Sequence, residues 1–345
     1  SGISLKNYDF GGLTVPAYYK DRLANRELSW EKTNEINVGL DFGFFNSRIN
    51  GAIDVYRRDA KDLIMERKLP STSGWTSIWD NIGHVRNVGV ELQLNTVNVQ
   101  TKDFTWETGF TFSKNHNELI ELYGGKKDDV TNKWFIGEPI DVNYDYVFDG
   151  IWQTDEAEQA AVYGQKPGQE KVRDIDGNKV IDADDKQILG QRSPKWIGSI
   201  TSTFRYKDFD LSVYLYTQQG AQVQDAFMSS FMTFEGNYNQ LDVDYWTENN
   251  PSNEFPQPGN KGKYYDTMRY IDVSFVRVGS ITLGWNIPKE WTKKIGIKNA
   301  RLYFTTNNPF TFSSYKGFDP EWATQNTWGT VTGYTTYLIG TKIEF

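Results

Sequence analysis

The most definite chemistry in this sequence lies in one acidic run, Asp174-Ile-Asp-Gly-Asn-Lys-Val-Ile-Asp-Ala-Asp-Asp185. Asp174, Asp176, Asn178, Asp182 and Asp185 put side-chain oxygens at the first, third, fifth, ninth and twelfth places, with the Val180 carbonyl at the seventh. A hard cation such as Ca²⁺ takes about six to eight oxygens from a short turning loop of this kind. Two residues depart from the pattern. Lys179 stands at the sixth place, where Gly usually makes the sharp turn, and the twelfth is Asp rather than the longer Glu. Gly177 is the residue able to supply the turn instead. The expectation is a structural Ca²⁺ that pins the loop; the alternative is an acidic turn closed by Asx hydrogen bonds.

Other reactive combinations are sparse. With no Cys and only His84 and His116, the chain offers no thiolate site and no His-rich metal site. Carboxylate pairs recur at Asp128/Asp129, Asp184/Asp185 and Asp242/Asp244. A glycosidase needs its pair about 5 to 10 Å apart across a cleft, and sequence spacing provides no such placement, so no enzyme activity is expected. A net charge of -8 opposes nucleic-acid binding, which calls for a basic face. Trp75, Trp79, Trp134, Trp152, Trp246, Trp322 and Trp328 fall between the periodic segments. Trp75, Trp79, Trp134 and Trp246 in particular are candidates to stack on a ligand or meet a partner; the plainer reading is that they pack loops together.

The elements that must carry these loops show a period of two. Aromatics make up 15% of the chain while mean hydropathy is -0.62, a combination that aromatic strands joined by long polar loops would produce. No apolar run reaches the roughly 18 residues of a membrane helix. Nine stretches alternate instead, near 35–44, 49–56, 88–95, 104–113, 200–206, 209–216, 281–287, 301–306 and 334–345. The cleanest sets Phe104, Trp106, Phe110 and Phe112 against Glu107, Gly109, Thr111 and Ser113. The last carries Tyr337, Ile339, Ile343 and the terminal Phe345 on one face, and Trp285 ends the seventh in the same sense. Residues 1–28 show no clear period and read as loop.

Short links follow the odd-numbered strands and long ones the even-numbered, with loops expected at about 64–84, 114–195, 217–272 and 310–333. That rhythm, with apolar and polar faces alternating, is the pattern of a transmembrane antiparallel β-barrel with short periplasmic turns and long extracellular loops. Phe104, Trp106, Phe110, Phe112, Trp285, Tyr337, Ile343 and Phe345 are then lipid-facing, in contact with outer-membrane lipid, and Phe345 doubles as the terminal aromatic that barrel-assembly machinery reads. An open edge in lipid leaves backbone groups unpaired at several kcal/mol each. Nine strands are therefore expected to be the carboxy-terminal part of one larger barrel domain spanning 1–345.

Several motifs also resemble a family. They include Trp30-Glu-Lys-Thr-Asn-Glu-Ile-Asn-Val-Gly-Leu-Asp-Phe-Gly-Phe44, Val55-Tyr-Arg-Arg-Asp-Ala-Lys-Asp-Leu63 and Asn81-Ile-Gly-His-Val-Arg-Asn-Val-Gly-Val-Glu91. Tyr245-Trp-Thr-Glu-Asn-Asn-Pro251, Asn308-Pro-Phe-Thr-Phe312 and Lys316-Gly-Phe-Asp-Pro-Glu321 follow in order. Together they are similar to the late barrel of SusC/RagA-type TonB-dependent transporters of Bacteroidota. The resemblance implies a barrel of roughly 22 strands with a plugged lumen, in the outer membrane, energised through TonB and capped by a SusD-like lipoprotein that captures glycans or peptides. The family's signal peptide, extension domain, plug and TonB box are expected outside these residues. The competing reading is a secreted β-rich glycan-binding or glycan-cleaving module whose acidic loop resembles a dockerin's, which also ends in Asp.

Overall fold

The computed structural model describes residues 3–20, 23–225, 242–323 and 333–345. Nine strands form one sheet: β3 (Lys32–Phe44), β4 (Ile49–Lys68), β5 (Ser77–Gln100), β6 (Phe104–Leu122), β11 (Trp196–Tyr206), β12 (Phe209–Gln219), β15 (Phe275–Asn286), β16 (Asn299–Ser313) and β17 (Thr336–Glu344). Their spatial order follows their chain order, and β6 and β11, β11 and β12, β12 and β15, β15 and β16, and β16 and β17 pair antiparallel. These are the nine stretches that alternate in the sequence. The chain divides into two compact units: 1–38, 54–90 and 115–140 in one, and 39–53, 91–114 and 141–345 in the other.

Register explains why alternation was the signal. In the second unit Ile200 faces Phe110 and Leu215, Phe204 faces Trp106 and Leu211, Leu283 faces Leu211 and Phe304, and Ile339 faces Phe304. Apolar side chains therefore line one face from strand to strand. They remain exposed at the outer edge, Tyr337 at 72%, Ile339 at 76% and Phe345 at 78%, which water would not tolerate over such a patch and hydrocarbon favours. Toward the short-turn end, Trp106 stacks on Phe204 at 5.5 Å, and Phe209 stacks on Trp285 at 6.1 Å with Trp291 edge-on. Rings at that level fit a membrane interface.

The opposite face uses glycine for a different purpose. A Cβ at Gly340 would run into the Tyr303 ring, one at Gly279 into Tyr214, and, in the first unit, one at Gly89 into Tyr56. Each phenol lies over a neighbouring strand at a point where no side chain stands.

Three expectations are corrected. Residues 64–84 are mostly strand, because β4 runs on to Lys68 and β5 begins at Ser77, leaving a short link with one 3-10 turn at Ser71–Ser73. Alternation fails there because Met65, Ile82 and Val85 bury against Leu119 and Leu122 instead of facing lipid, and Asp62 takes a positive φ of 56°. The leading segment holds a hairpin, β1 (Ile3–Phe10) and β2 (Leu13–Lys20), turned by Gly11-Gly12; mixed polarity on both its faces hid the period. The loop expected from 310 begins later, since β16 continues to Ser313 with Phe310 opposite Val278 and Phe312 opposite Val276.

The connection from β6 to β11 carries β7 (Val142–Tyr146), β8 (Phe148–Ile151), helix α1 (Ala157–Val162), β9 (Glu170–Val172) and β10 (Lys186–Gln191). The connection from β12 to β15 adds β13 (Gln222–Gln224) and β14 (Tyr270–Asp272). Residues 226–241 of the expected 217–272 loop, and 324–332 of 310–333, lie outside the described residues.

Phe110 pairs with Ile200 in the middle of the apolar face. Phe110→Arg should cost about 2–4 kcal/mol if that face meets the bilayer midplane. Urea titration of the protein refolded into vesicles measures it, and a cost below about 1 kcal/mol would be inconsistent with lipid contact.

Candidate functional site

The acidic loop closes upon itself through its own carboxylates. Asp174 accepts the Gly177 N–H at 2.8 Å and the Lys179 N–H at 2.8 Å, with the Tyr163 hydroxyl donating at 3.1 Å. Asp176 accepts from the Asn178 backbone at 3.0 Å, and the Asn178 side-chain oxygen accepts the Val180 N–H at 2.7 Å. The fully buried Asp185 returns to the start of the loop, taking the Ile175 N–H at 2.7 Å and the Asp182 N–H at 2.8 Å. Both candidate turn residues are left-handed, Gly177 at φ 73° and Lys179 at φ 66°. The bond from Lys179 N–H to Asp174 holds a conformation that a Cβ disfavours. Burial alone would raise the Asp174 carboxyl, but the two backbone donors and Tyr163 keep it below the ordinary aspartate range.

Carboxylate oxygens of Asp174, Asp176 and Asp185 lie within 4.8 Å of one another, a hard, anionic oxygen set that suits Ca²⁺. Asp182 does not join that group; it caps the short 3-10 turn Ala183–Asp185 through the Asp184 N–H. Asn178 and Val180 stand on the exposed side of the loop.

Loop cores surround this turn. Val172, Ile181 and Tyr264 cluster, with Tyr146 and Tyr163 against them. Beside them Glu170 has no exposed surface, and its carboxylate accepts the N–H groups of Tyr264 at 2.7 Å and Gly262 at 3.2 Å. Burial pushes this carboxyl above the ordinary glutamate range, against the pull of those donors and of Lys261. Sequence reading missed Glu170, since an isolated Glu in a long loop carries no periodic signal.

It also missed a second knot. Arg277 is buried and donates to Asp319 at 2.5 Å, to Glu321 at 2.6 Å and to the Tyr216 hydroxyl at 3.2 Å. Counted in twos from Leu283, Arg277 would face outward with the apolar residues. A register shift between Val278 and Ser280 turns it onto the other face, opposite Tyr216. The Phe318-Asp-Pro-Glu321 motif was visible, but its basic partner was hidden by that bulge.

Below this knot the polar face is built of hydroxyls and neutralised charges. Thr111 bonds Ser199 at 2.7 Å, Thr282 bonds Thr305 at 2.9 Å, Arg205 pairs with Glu107 and Arg301 with Asp210, each at 2.5 Å. A groove of about 500 Å³ runs past Asn50, Gln93, Asn95, Glu107, Ser199 and Thr201.

The tryptophans divide. Trp246 is buried with its indole N–H on Gln153 at 2.9 Å. Trp152 is buried on Gln165, and Trp134 packs against the Met65–Leu122 cluster. Trp75 is half-buried; Trp79 and Trp322 are exposed. Trp328 lies outside the described residues.

Residues 5–308 match the protein family described as TonB dependent receptor-like, beta-barrel. The chain is 32% identical to "TonB-dependent receptor P3" of Formosa agariphila over 86% of its own length and 31% of that protein's. It is 31% identical to "TonB-dependent receptor SusC" of Bacteroides thetaiotaomicron, over 98% of this chain and 34% of that one. It thus spans about a third of these curated relatives. Among solved structures, "Structure of the RagAB peptide transporter" superposes with a TM-score of 0.80 at 25% identity, covering 99% of this chain and 38% of that one.

The raised Glu170 carboxyl sets a pH dependence. A folded-state value above the unfolded one gives stability that is complete at pH below the ordinary glutamate range and is lost as pH rises through the folded value. Thermal unfolding followed from pH 4 to 8 should show the loop region weakening upward through that window, and Glu170→Gln should flatten the slope. An unchanged slope in the variant would assign the dependence to another group.

Proposed function

The chain belongs to the TonB-dependent receptor β-barrel family, and on that premise we propose that it supplies part of the wall of a SusC-like outer-membrane importer. The cargo we infer is a hydrogen-bonding oligomer, a glycan or a peptide. The observation that carries this is the polar face: hydroxyls, amides and charge pairs already neutralised run across consecutive strands whose other face is apolar. Such a wall offers a cargo in transit closely spaced donors and acceptors, among which the carboxylates of Asp41, Asp54 and Glu91 add acceptors. Similarity to a peptide transporter supports the peptide arm, and the hydroxyl-rich lining serves either. The role is passage rather than catalysis.

A SusD-like lipoprotein is proposed to sit over the long connections and hand cargo inward. Coupling to TonB is assigned to the larger part of such a receptor that lies beyond this chain. Phe104, Trp106, Phe110, Phe112, Trp285, Tyr337, Ile343 and Phe345 are proposed to meet lipid, with Phe345 serving barrel assembly. A secreted module with a dockerin-like loop is disfavoured by the family match and by the strand-to-strand apolar face.

Cells lacking the full-length gene should fail to grow on one class of oligomer, glycan or peptide, as sole nutrient and grow normally on its monomers; equal growth on every oligomer would overturn the importer reading. Within the long connection we propose a Ca²⁺ held by Asp174, Asp176 and Asp185, with a purely structural role. Ca²⁺ should slow proteolytic cleavage within 174–185 several-fold, chelation should restore it, and Asp176→Asn should abolish the difference. Cleavage indifferent to Ca²⁺ in the parent protein would leave the turn closed by its Asx bonds alone.

A further inference from the structure

Within the first unit, one sheet face changes character abruptly. On β4 the exposed Val55 is followed, two residues on, by Arg57 and then Asp59; on β5 Val90 and Val88 give way to Arg86 and His84. Tyr56 and Gly89 meet on the other face, and Arg58 is tied there to Glu35 at 2.8 Å. Arg57 and Arg86 therefore continue the face of Val55 and Val88, to which β3 adds the exposed Ile36 and Val38.

Asp59 is the hub of the change. It accepts from Nε of Arg57 at 2.7 Å, from Nε of Arg86 at 2.9 Å and bonds Nε2 of His84 at 2.9 Å. One carboxylate cannot neutralise two guanidinium groups, so the cluster keeps a net positive charge. Both arginines are anchored through Nε, and their terminal nitrogens have no partner among the described residues. The Arg57 side chain is 52% exposed, so its free end is available from outside.

Apolar residues facing hydrocarbon, ended by outward-facing cations on the loop side, put those cations at the level of lipid headgroups. A guanidinium fork matches phosphate oxygens two at a time and is only weakly hydrated, so it gives up water cheaply there. Asp59 and His84 fix both forks in advance, which lowers the entropy lost on binding. We propose that Arg57 and Arg86, oriented by Asp59 and His84, form a site for the phosphate of an anionic outer-leaflet glycolipid. The site lies on the lipid-facing wall, apart from the passage, and rests on the outer-membrane placement rather than on the cargo.

The test uses the full-length protein in detergent, with phosphorylated lipid A, enzymatically dephosphorylated lipid A and inorganic phosphate as probes, read by native mass spectrometry. Phosphorylated lipid A should be retained at least about tenfold better than the dephosphorylated form. Arg57→Gln and Arg86→Gln should each lose about tenfold, as expected for one charged hydrogen-bond partner, while Arg57→Lys keeps part of the affinity. Heat-modifiable gel migration verifies that each variant is folded. Should Arg86→Gln fail to assemble, the half-exposed Arg57→Gln decides alone. Equal retention of the two lipids, unchanged retention in Arg57→Gln, or full displacement by an equal concentration of inorganic phosphate would each overturn the proposal.

Discussion

A backbone amide in hydrocarbon has no water to fall back on, and each one left unpaired costs several kcal/mol. The whole arrangement depends on meeting that demand. β11 is bonded residue for residue to β6 on one side and to β12 on the other, so its donors and acceptors are engaged through the apolar region. The described register shifts in β12, β15 and β16 fall toward the long connections, where other partners are at hand. Once the ladder is fixed, period-two geometry assigns every side chain to a face, and the faces need only differ in solvent.

Where the strands leave that regime, the rules of a water-soluble protein return in a particular form. The long connections bury modest apolar clusters and join them through fully enclosed acids. Glu170 gathers two backbone donors from a segment far away in sequence, Asp185 staples the ends of its own loop, and Arg277 binds two carboxylates at once. Removing one partner from such a buried pair costs about 3–5 kcal/mol, so these knots define loop shape more sharply than greasy contacts would. Large surface connections thus acquire a fixed form from only small apolar cores.

That division governs what could be read in the chain beforehand. Phe110, Phe204, Leu283 and Ile339 obey one constraint, a shared apolar sheet face, and their alternation reported it. Met65 and Ile82 answer to an interior formed with Leu119 and Leu122, so the strands carrying them looked like loop. Arg277 escaped for a sharper reason, because a single extra residue at the bulge reverses the parity on which such readings rest. In the acidic loop, local spacing sufficed to gather Asp174, Asp176 and Asp185, whereas Asp182 was drawn off by a capping demand that spacing does not express. Glu170 depends on a contact more than ninety residues away, a relation with no local trace.

The tyrosines laid over glycines carry a consequence for the contour of the polar face. Tyr303 rests above Gly340 and Tyr214 above Gly279, so each phenol lies close against the sheet. Even a methyl group at either glycine would act as a wedge and lever the ring off it. The relief of that face is thus set by atoms that are missing, and alanine in place of either glycine would reshape it without altering any other side chain.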